Sequence, residues 1–431
     1  MRRFAYKKLI EWKNNDRRKP LIIRGARQVG KTWLMKEFAK EYKNLIYINF
    51  EDSTVLQQLF IQDFDINRIL MSLQIESGVK AEPENTLIIF DEIQEAERGL
   101  TSLKYFQENA PEYHIIAAGS YLGISMQENT SFPVGKVNFL DLYPMSFYEF
   151  LTALGKESLF EVLHQKQWNL ITQFRNKYIE LLKLYYFIGG MPEVVKEYLI
   201  TKDFSSVRRI QNQLIIAYEQ DFAKHAPRNT VPRIRLVWNS LPTQLSKENR
   251  KFIFGLIKKG ARAKDFEMAI EWLKDSGLVY QINRINKPSL PLSSYKDPSA
   301  YKLYMFDVGL LGAMAKLNAK TITDGSRIFE EFKGALTENY VLQQLRSNGT
   351  LDIYYWSAEK SSGEIDFIIQ QESNIYPIEV KSEENLKAKS LRAFKDKYKI
   401  QLSYRTSMAD YRKEEWLENI PLFAIGNLFN N

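Results

Sequence analysis

Residues 21–34 read LIIRGARQVGKTWL. Leu21, Ile22 and Ile23 form a short apolar run of the kind a buried strand shows. Gly25, four residues and then Gly30-Lys31-Thr32 satisfy G-x-x-x-x-G-K-[ST], and WLMKEFAKEY from Trp33 onward has helical periodicity. Strand, glycine loop and helix together are the context a phosphate-binding loop needs. The glycines let successive backbone N–H groups close around a polyphosphate at a helix N-terminus. Gly25, Ala26, Arg27, Gln28, Val29, Gly30, Lys31, Thr32 and Trp33 are thus the expected nucleotide-binding set. Lys31 would reach the β- and γ-phosphates and Thr32 would hold Mg²⁺, which makes ATP and Mg²⁺ the expected cofactors.

Downstream, NLIYINF (44–50), TLIIF (86–90) and HIIAA (114–118) read as further buried strands separated by helical stretches. Alternation of this kind predicts an α/β domain with a mostly parallel sheet and helices on both faces. Asp91 and Glu92 follow the third strand. A carboxylate pair there completes a phosphate-loop site, Asp91 in the Mg²⁺ shell and Glu92 orienting or deprotonating water. Ser120 follows the fourth strand and is a candidate sensor of the γ-phosphate, with a plain turn serine as the alternative. Ligands of such sheets sit beyond the carboxyl ends of the strands, which is where Thr32, Asp91 and Ser120 all fall.

The chain has 431 residues, 45% hydrophobic and 26% charged, with no cysteine. That is a globular composition with room for about three domains, and it excludes disulfides and zinc–thiolate sites. The formal charge of +8 is compatible with an anionic partner such as DNA. His114, His164 and His225 are scattered and read as structural. No run approaches the ~20 apolar residues of a membrane helix, and MRRFAYKKLIEWKNN at the start lacks a signal core. It reads as an amphipathic helix presenting Phe4, Leu9 and Trp12. A cytoplasmic location without a membrane partner is expected.

After residue 145 the pattern is helical, broken at Gly189-Gly190-Met191-Pro192. Residues 233–316 give helix, helix, strand, proline loop and strand, the outline of a winged helix. Lys258, Lys259, Arg262 and Lys264 stand at the start of its second helix, where groove contacts are made. The alternative is a solvated face, since Asp265, Glu267 and Glu271 dilute the charge. The last segment opens at 323–326 and offers a helix carrying Glu338, then strands at 352–356, 364–370 and 375–381, then a basic helix at 385–398. Glu379 and Lys381 leave one face of their strand, and Asp366 on the neighbouring strand can meet them. Carboxylates so placed can hold a divalent metal. Bound water would become the nucleophile while Lys381 steadies the hydroxide or the phosphate. A surface ladder of ion pairs is the alternative.

GARQVGKT, LIIFDEIQ, AAGSYLG, VGKVNFLDLYPMSFYEFL and YFIGGMPEVV resemble an AAA-class ATPase group of bacteria and archaea related to signal-transduction ATPases. The D…E-x-K arrangement on consecutive strands resembles the PD-(D/E)XK nuclease fold, a resemblance that implies Glu338 as a further metal ligand from the helix. The first resemblance implies a helical lid after the ATPase core. Many of its members carry Gly-Arg where this chain has Gly135-Lys136; lysine lacks arginine's planar fork, which leaves Arg98 and Arg175 as other basic candidates for an arginine finger. It also raises the expectation of a homo-oligomer, in which a neighbour's arginine completes the site.

The expected architecture is a multidomain α/β chain: an ATPase core at 1–145, a helical lid at 146–202, a helix plus winged helix at 203–322 and a nuclease-like domain at 323–431. The expected function is Mg²⁺-dependent ATP binding and hydrolysis coupled to action on DNA, with Asp366, Glu379 and Lys381 as the cleaving set. The alternative is a nucleotide-controlled switch whose C-terminal domains bind nucleic acid or protein without cleavage.

Overall fold

We describe a computed structural model of the chain over residues 1–120, 122, 133–247, 251–319, 327–347, 349, 351–358, 363–384 and 388–429. The stretch 323–326, the start of the basic helix at 385–387 and most of the YLG that follows Ser120 lie outside these residues. The chain divides into two units, Met1–Tyr143 with Asp275–Gly277, and Pro144–Lys274 with Leu278–Asn431.

The first unit is built on strands β1 (Leu21–Arg24), β2 (Asn44–Asn49), β3 (Thr86–Asp91), β4 (His114–Ala118) and β5 (Asn138–Asp141). They form one parallel sheet in the order β2-β3-β4-β1-β5, with Ile22 beside Ala117 on one side and Phe139 on the other. Helices α1 (Ala5–Lys13) and α2 (Lys31–Phe38) cover one face. There Trp12 meets Phe38 and the edge of His114, and Leu9 and Leu34 are fully buried. Helices α3 (Thr54–Gln57), α4 (Ile66–Ser77) and α5 (Gly99–Asn109) cover the other. Their Leu70, Leu73, Leu103 and Phe106 pack on Ile46, Ile88, Phe90 and Ile115. Alternation along each strand sends neighbouring residues to opposite faces, so a strand buried on both sides carries a continuous apolar run, as Leu87–Phe90 of β3 and Ile115–Ala118 of β4 do. Strand β5 was not foreseen. Its sequence, NFLD, alternates weakly, because as an edge strand it is only partly buried.

In the second unit, helices α6 (Phe147–Ala153), α7 (Glu157–His164), α8 (Trp168–Gln173), α9 (Arg175–Ile188), α10 (Pro192–Thr201), α11 (Phe204–His225), α12 (Val231–Leu245), α13 (Phe254–Ile257) and α14 (Ala263–Asp275) precede the hairpin β6 (Val279–Ile285)–β7 (Lys296–Met305). Then come α15 (Val308–Met314), α16 (Arg327–Ser347), β8 (Ile353–Ser357), β9 (Glu364–Gln371), β10 (Asn374–Val380), α17 (Lys389–Tyr398), β11 (Ser403–Ser407), β12 (Arg412–Lys413) and β13 (Leu417–Pro421). Strands β8, β9 and β10 form an antiparallel meander, and β11 returns parallel to β10 after α17. The hairpin extends the same sheet, because β6 runs parallel to β8 at Arg284 and Tyr355; the order is β12-β13-β11-β10-β9-β8-β6-β7. The sequence boundary at 322/323 therefore does not interrupt the sheet.

Helix α16 is the axis of this unit. Tyr340 is fully buried, with the rings of Phe147, Tyr185 and Tyr186 within 6.4 Å. Gln344 accepts the Phe147 N–H at 2.7 Å, and Gln343 donates to the carboxylate of Asp307 at 3.1 Å. That carboxylate also accepts from the N–H of Gly190 at 2.6 Å and caps α15 through Leu310 N–H. The glycine pair in YFIGGMPE is required by this packing. A Cβ on Gly189, which has φ +77°, would lie 2.2 Å from Asp307 Oδ1, and one on Gly190 would lie 2.1 Å from the Met145 carbonyl. Among the described residues no helix is long and apolar enough to cross a membrane.

Candidate active site

Every strand of the first sheet points the same way, so the ends of β1, β3 and β4 share one edge. At the end of β1 the backbone turns through left-handed conformations at Gly25, Gln28 and Gly30, with φ of +148°, +65° and +96°. Gly25 cannot be replaced by a larger residue without movement, since a Cβ there would lie 2.2 Å from the Leu142 carbonyl beyond β5. Alternating left- and right-handed residues turn successive N–H groups inward, the concavity that receives anions.

Lys31 opens α2 and is 6% exposed. Its ammonium donates to the carbonyls of Gly25 at 2.8 Å and Ala26 at 3.0 Å, bridging its own loop. Burial brings its pKa down to about 8, against the pull of Glu92 and Asp91 and with a further push from Arg27. Thr32 Oγ1 donates to Asp91 Oδ2 at 2.8 Å, and Tyr47 from β2 donates to the same oxygen at 2.8 Å. Burial and that hydrogen bond raise the phenol of Tyr47 well above its ordinary value. A hydroxyl and a carboxylate meeting beside an anion-binding loop are the donors an octahedral Mg²⁺–nucleotide complex takes from a protein, so Thr32 and Asp91 fit the ion. Ala26 and Val29 are buried in the loop, Gln28 is exposed, and Trp33 is 43% exposed on the outer side of α2.

Glu92 follows β3 in a left-handed conformation, φ +51°. Its carboxylate accepts from Ser120 N–H at 3.1 Å, Ser120 Oγ–H at 3.2 Å and Gln94 Nε2 at 2.6 Å. Ser120, 2% exposed, thus holds Glu92 in place across the β3–β4 edge. Gly119 makes room for this arrangement, since a Cβ there would lie 2.0 Å from Gln94 Oε1. Tyr47, Gln94 and Arg3 were missed from the sequence. Arg3 precedes α1 and donates to the carbonyls of Val29 at 2.7 Å and Tyr143 at 2.6 Å, bracing the phosphate loop from behind. Only a basic residue in the N-terminal stretch hinted at it.

The arginine-finger candidates are engaged. Lys136 is paired with Glu108 at 2.9 Å. Arg98 donates to the Ile61 carbonyl and lies over the Phe64 ring. Arg175, in the second unit, binds the Met408 carbonyl, Glu384 and Asp410.

The acidic residues of the second unit separate into two groups. Glu379 is 5% exposed and pairs with Lys381 at 2.8 Å, its other oxygen buried without a hydrogen-bond partner. Asp366 accepts the N–H of Val380 at 2.7 Å, across the β9–β10 ladder. Burial and the neighbouring Glu338 carboxylate push the Asp366 acid well above the usual carboxylate range, although Lys302 pulls it down. Glu338 faces β7 instead. Tyr304 donates to it at 3.0 Å, and Lys302 lies 3.9 Å away and also binds Glu364. Among the described residues no three His, Cys, Asp or Glu side chains are grouped closely enough to hold a metal ion. The expected metal set of Glu338, Asp366 and Glu379 is thus not assembled, and Lys302, fully buried, stands among the carboxylates. Lys302 and Tyr304 lie two apart on one strand, but nothing in KLYM marks them as facing an acidic helix.

Residues 17–151 match the model of the AAA domain. Residues 179–321 match one domain of unknown function (DUF8612) and residues 333–425 another (DUF4143). The first unit is thereby placed among the P-loop ATPase domains of the AAA class. No curated protein sequence matches the chain. Among solved structures it is similar to a Walker-type ATPase of Pyrococcus abyssi, at 16% identity over 73% of this chain and 95% of that one, TM-score 0.46. It is also similar to the Orc1 protein of Aeropyrum pernix in complex with DNA, at 12% identity over 73% and 91%, TM-score 0.30. A third is Cdc6p of Pyrobaculum aerophilum, at 10% identity over 74% and 92%, TM-score 0.26. Likenesses this distant carry no argument about function.

Proposed function

We propose that the chain is a Mg²⁺-dependent ATP-hydrolysing switch whose C-terminal half binds DNA without cutting it. The observation that carries the first part is the convergence of Lys31, Thr32–Asp91 and Ser120–Glu92 on one sheet edge. Loop N–H groups and Lys31 would bind the phosphates. Thr32 and Asp91 would hold Mg²⁺, which when bound offsets the charge that builds on the phosphates. Glu92, oriented by Ser120 and Gln94, would accept a proton from the attacking water.

The helix–β8–β9–β10–helix–β11 order supports a nuclease-like fold for the last segment, and α12, α13, α14 and the β6–β7 hairpin support a winged helix. Lys258, Lys259, Arg262 and Lys264 are all exposed at the entry to α14, as phosphate contacts would be. Binding is favoured over cleavage because Lys302, rather than an open cation position, lies among the acidic groups. The test is a panel with single- and double-stranded DNA, Mg²⁺ or Mn²⁺, and ATP present or absent. Salt-dependent retention of intact DNA supports the reading. Metal-dependent scission abolished by Asp366→Ala or Lys381→Ala would instead establish a nuclease, and absence of any DNA binding would point to a protein partner.

A further inference from the structure

Lys302 is the feature that the nuclease-like reading leaves over. It comes from β7, outside the helix–strand set that carries Glu338, Glu364 and Asp366, and its side chain is fully buried. A buried ammonium is offset most strongly by carboxylates at contact distance. Here Glu364 binds it directly and Glu338 lies 3.9 Å away, while the Tyr355 ring faces it at 4.9 Å. Tyr304, on the same face of β7, occupies Glu338 with a second hydrogen bond. Glu338 and Glu364 are thus engaged by protein donors, and a divalent ion entering between them would meet an ammonium that has no exit to solvent.

From this we infer that Lys302 is a resident cation that takes the place of a divalent metal in the C-terminal centre. The lysine neutralises the acidic cluster and ties the hairpin β6–β7 to α16 and β9. The centre then needs no metal to fold and presents none to a phosphodiester. The inference rests on the nuclease-like reading of this region. DNA binding in EDTA tests that reading, and metal titration tests Lys302, so the two can fail separately.

The experiment is a Mn²⁺ titration of the full, nucleotide-free chain, with free Mn²⁺ read by electron paramagnetic resonance. Thr32→Ala removes the contribution of the phosphate-loop site. On that background Lys302 intact should show no site tighter than roughly 1 mM, and Lys302→Met should gain one site at least tenfold tighter, lost again when Asp366→Asn is added. Lys302→Arg, which keeps the charge, should fold and bind no Mn²⁺. A Mn²⁺ site already present with Lys302 intact and lost in Asp366→Asn overturns the inference. So does a folded Lys302→Met chain that gains no site. If Lys302→Met does not fold, the titrations of the Lys302 and Lys302→Arg chains decide.

Discussion

Lys31 gives the phosphate loop a pH dependence that can be worked out in advance. In the free protein its ammonium is buried against the carbonyls of Gly25 and Ala26, and its pKa is brought down to about 8. Below that value the side chain is charged, and above it neutral. The charged fraction falls from roughly 90% at pH 7 to roughly 10% at pH 9. A bound triphosphate beside the ammonium restores the charge, so binding takes up a proton at the higher pH. If the neutral amine contributes little, ATP affinity weakens roughly tenfold across that interval, about 1.4 kcal/mol. The γ-phosphate is already ionised there and does not obscure the effect. Calorimetry in two buffers of different ionisation heat should show proton uptake approaching one at pH 9 and little at pH 7. The same depression means that the folded, nucleotide-free state bears a cost for charging Lys31 below pH 8. Lys31→Met should therefore raise the free protein's stability by up to about 3 kcal/mol while abolishing tight ATP binding. An affinity unchanged between pH 7 and 9 with no proton uptake would refute the reasoning.

Three further expectations rest on other parts of the chain. Gly190→Ala places a Cβ 2.1 Å from the Met145 carbonyl, a backbone clash, and should lower the stability of the second unit by more than ~3 kcal/mol in urea unfolding. His114, 5% exposed and bonded to Tyr42, has its pKa pushed down to about 4 by burial and by Arg18 and Lys13. Its folded pKa lies below its unfolded one, so its contribution is full above pH 6.5 and is lost as pH falls toward 4. About 2 kcal/mol should disappear between pH 7 and 5, and His114→Gln should flatten that part of the stability profile. Neutralising Lys258, Lys259, Arg262 and Lys264 one at a time should reduce the slope of log affinity against log salt by roughly one for each residue that contacts a phosphate; an unchanged slope in all four removes α14 from the DNA-binding surface.

The first unit was largely legible in the sequence because its determinants are local. A strand buried on both faces is a continuous apolar run, and a phosphate loop is a contiguous pattern with glycines at fixed offsets. What escaped was long-range or half-exposed. Edge strand β5 lacks a full apolar face. Arg3 reaches the loop from 26 residues away. Tyr47 acts only because the sheet sets β2 beside Asp91, and Gln94 reaches Glu92 through the turn that follows β3, a conformation no spacing rule marks. In the second unit Asp366 lies on β9 and Glu379 on β10, as their spacing suggested, with Lys381 one residue past the end of β10. The ion that meets the acidic cluster is a lysine from a hairpin more than thirty residues upstream of Glu338, and register across a shared sheet cannot be read from a motif. The Gly189-Gly190 break reads as a helix end; its reason, a buried carboxylate from Asp307, becomes visible only when α9, α15 and α16 are packed.

The account turns on Glu92, held by Ser120 and Gln94 at the edge shared with Lys31, Thr32 and Asp91. The direct measurement is single-turnover hydrolysis of ATP with Mg²⁺ in the unchanged chain and in Glu92→Gln, alongside the ATP affinity of each. Loss of a general base is worth roughly 10²–10⁴-fold. Hydrolysis should fall by at least a hundredfold in Glu92→Gln while ATP binding stays within about threefold. Equal hydrolysis rates in the two chains would contradict the proposed site.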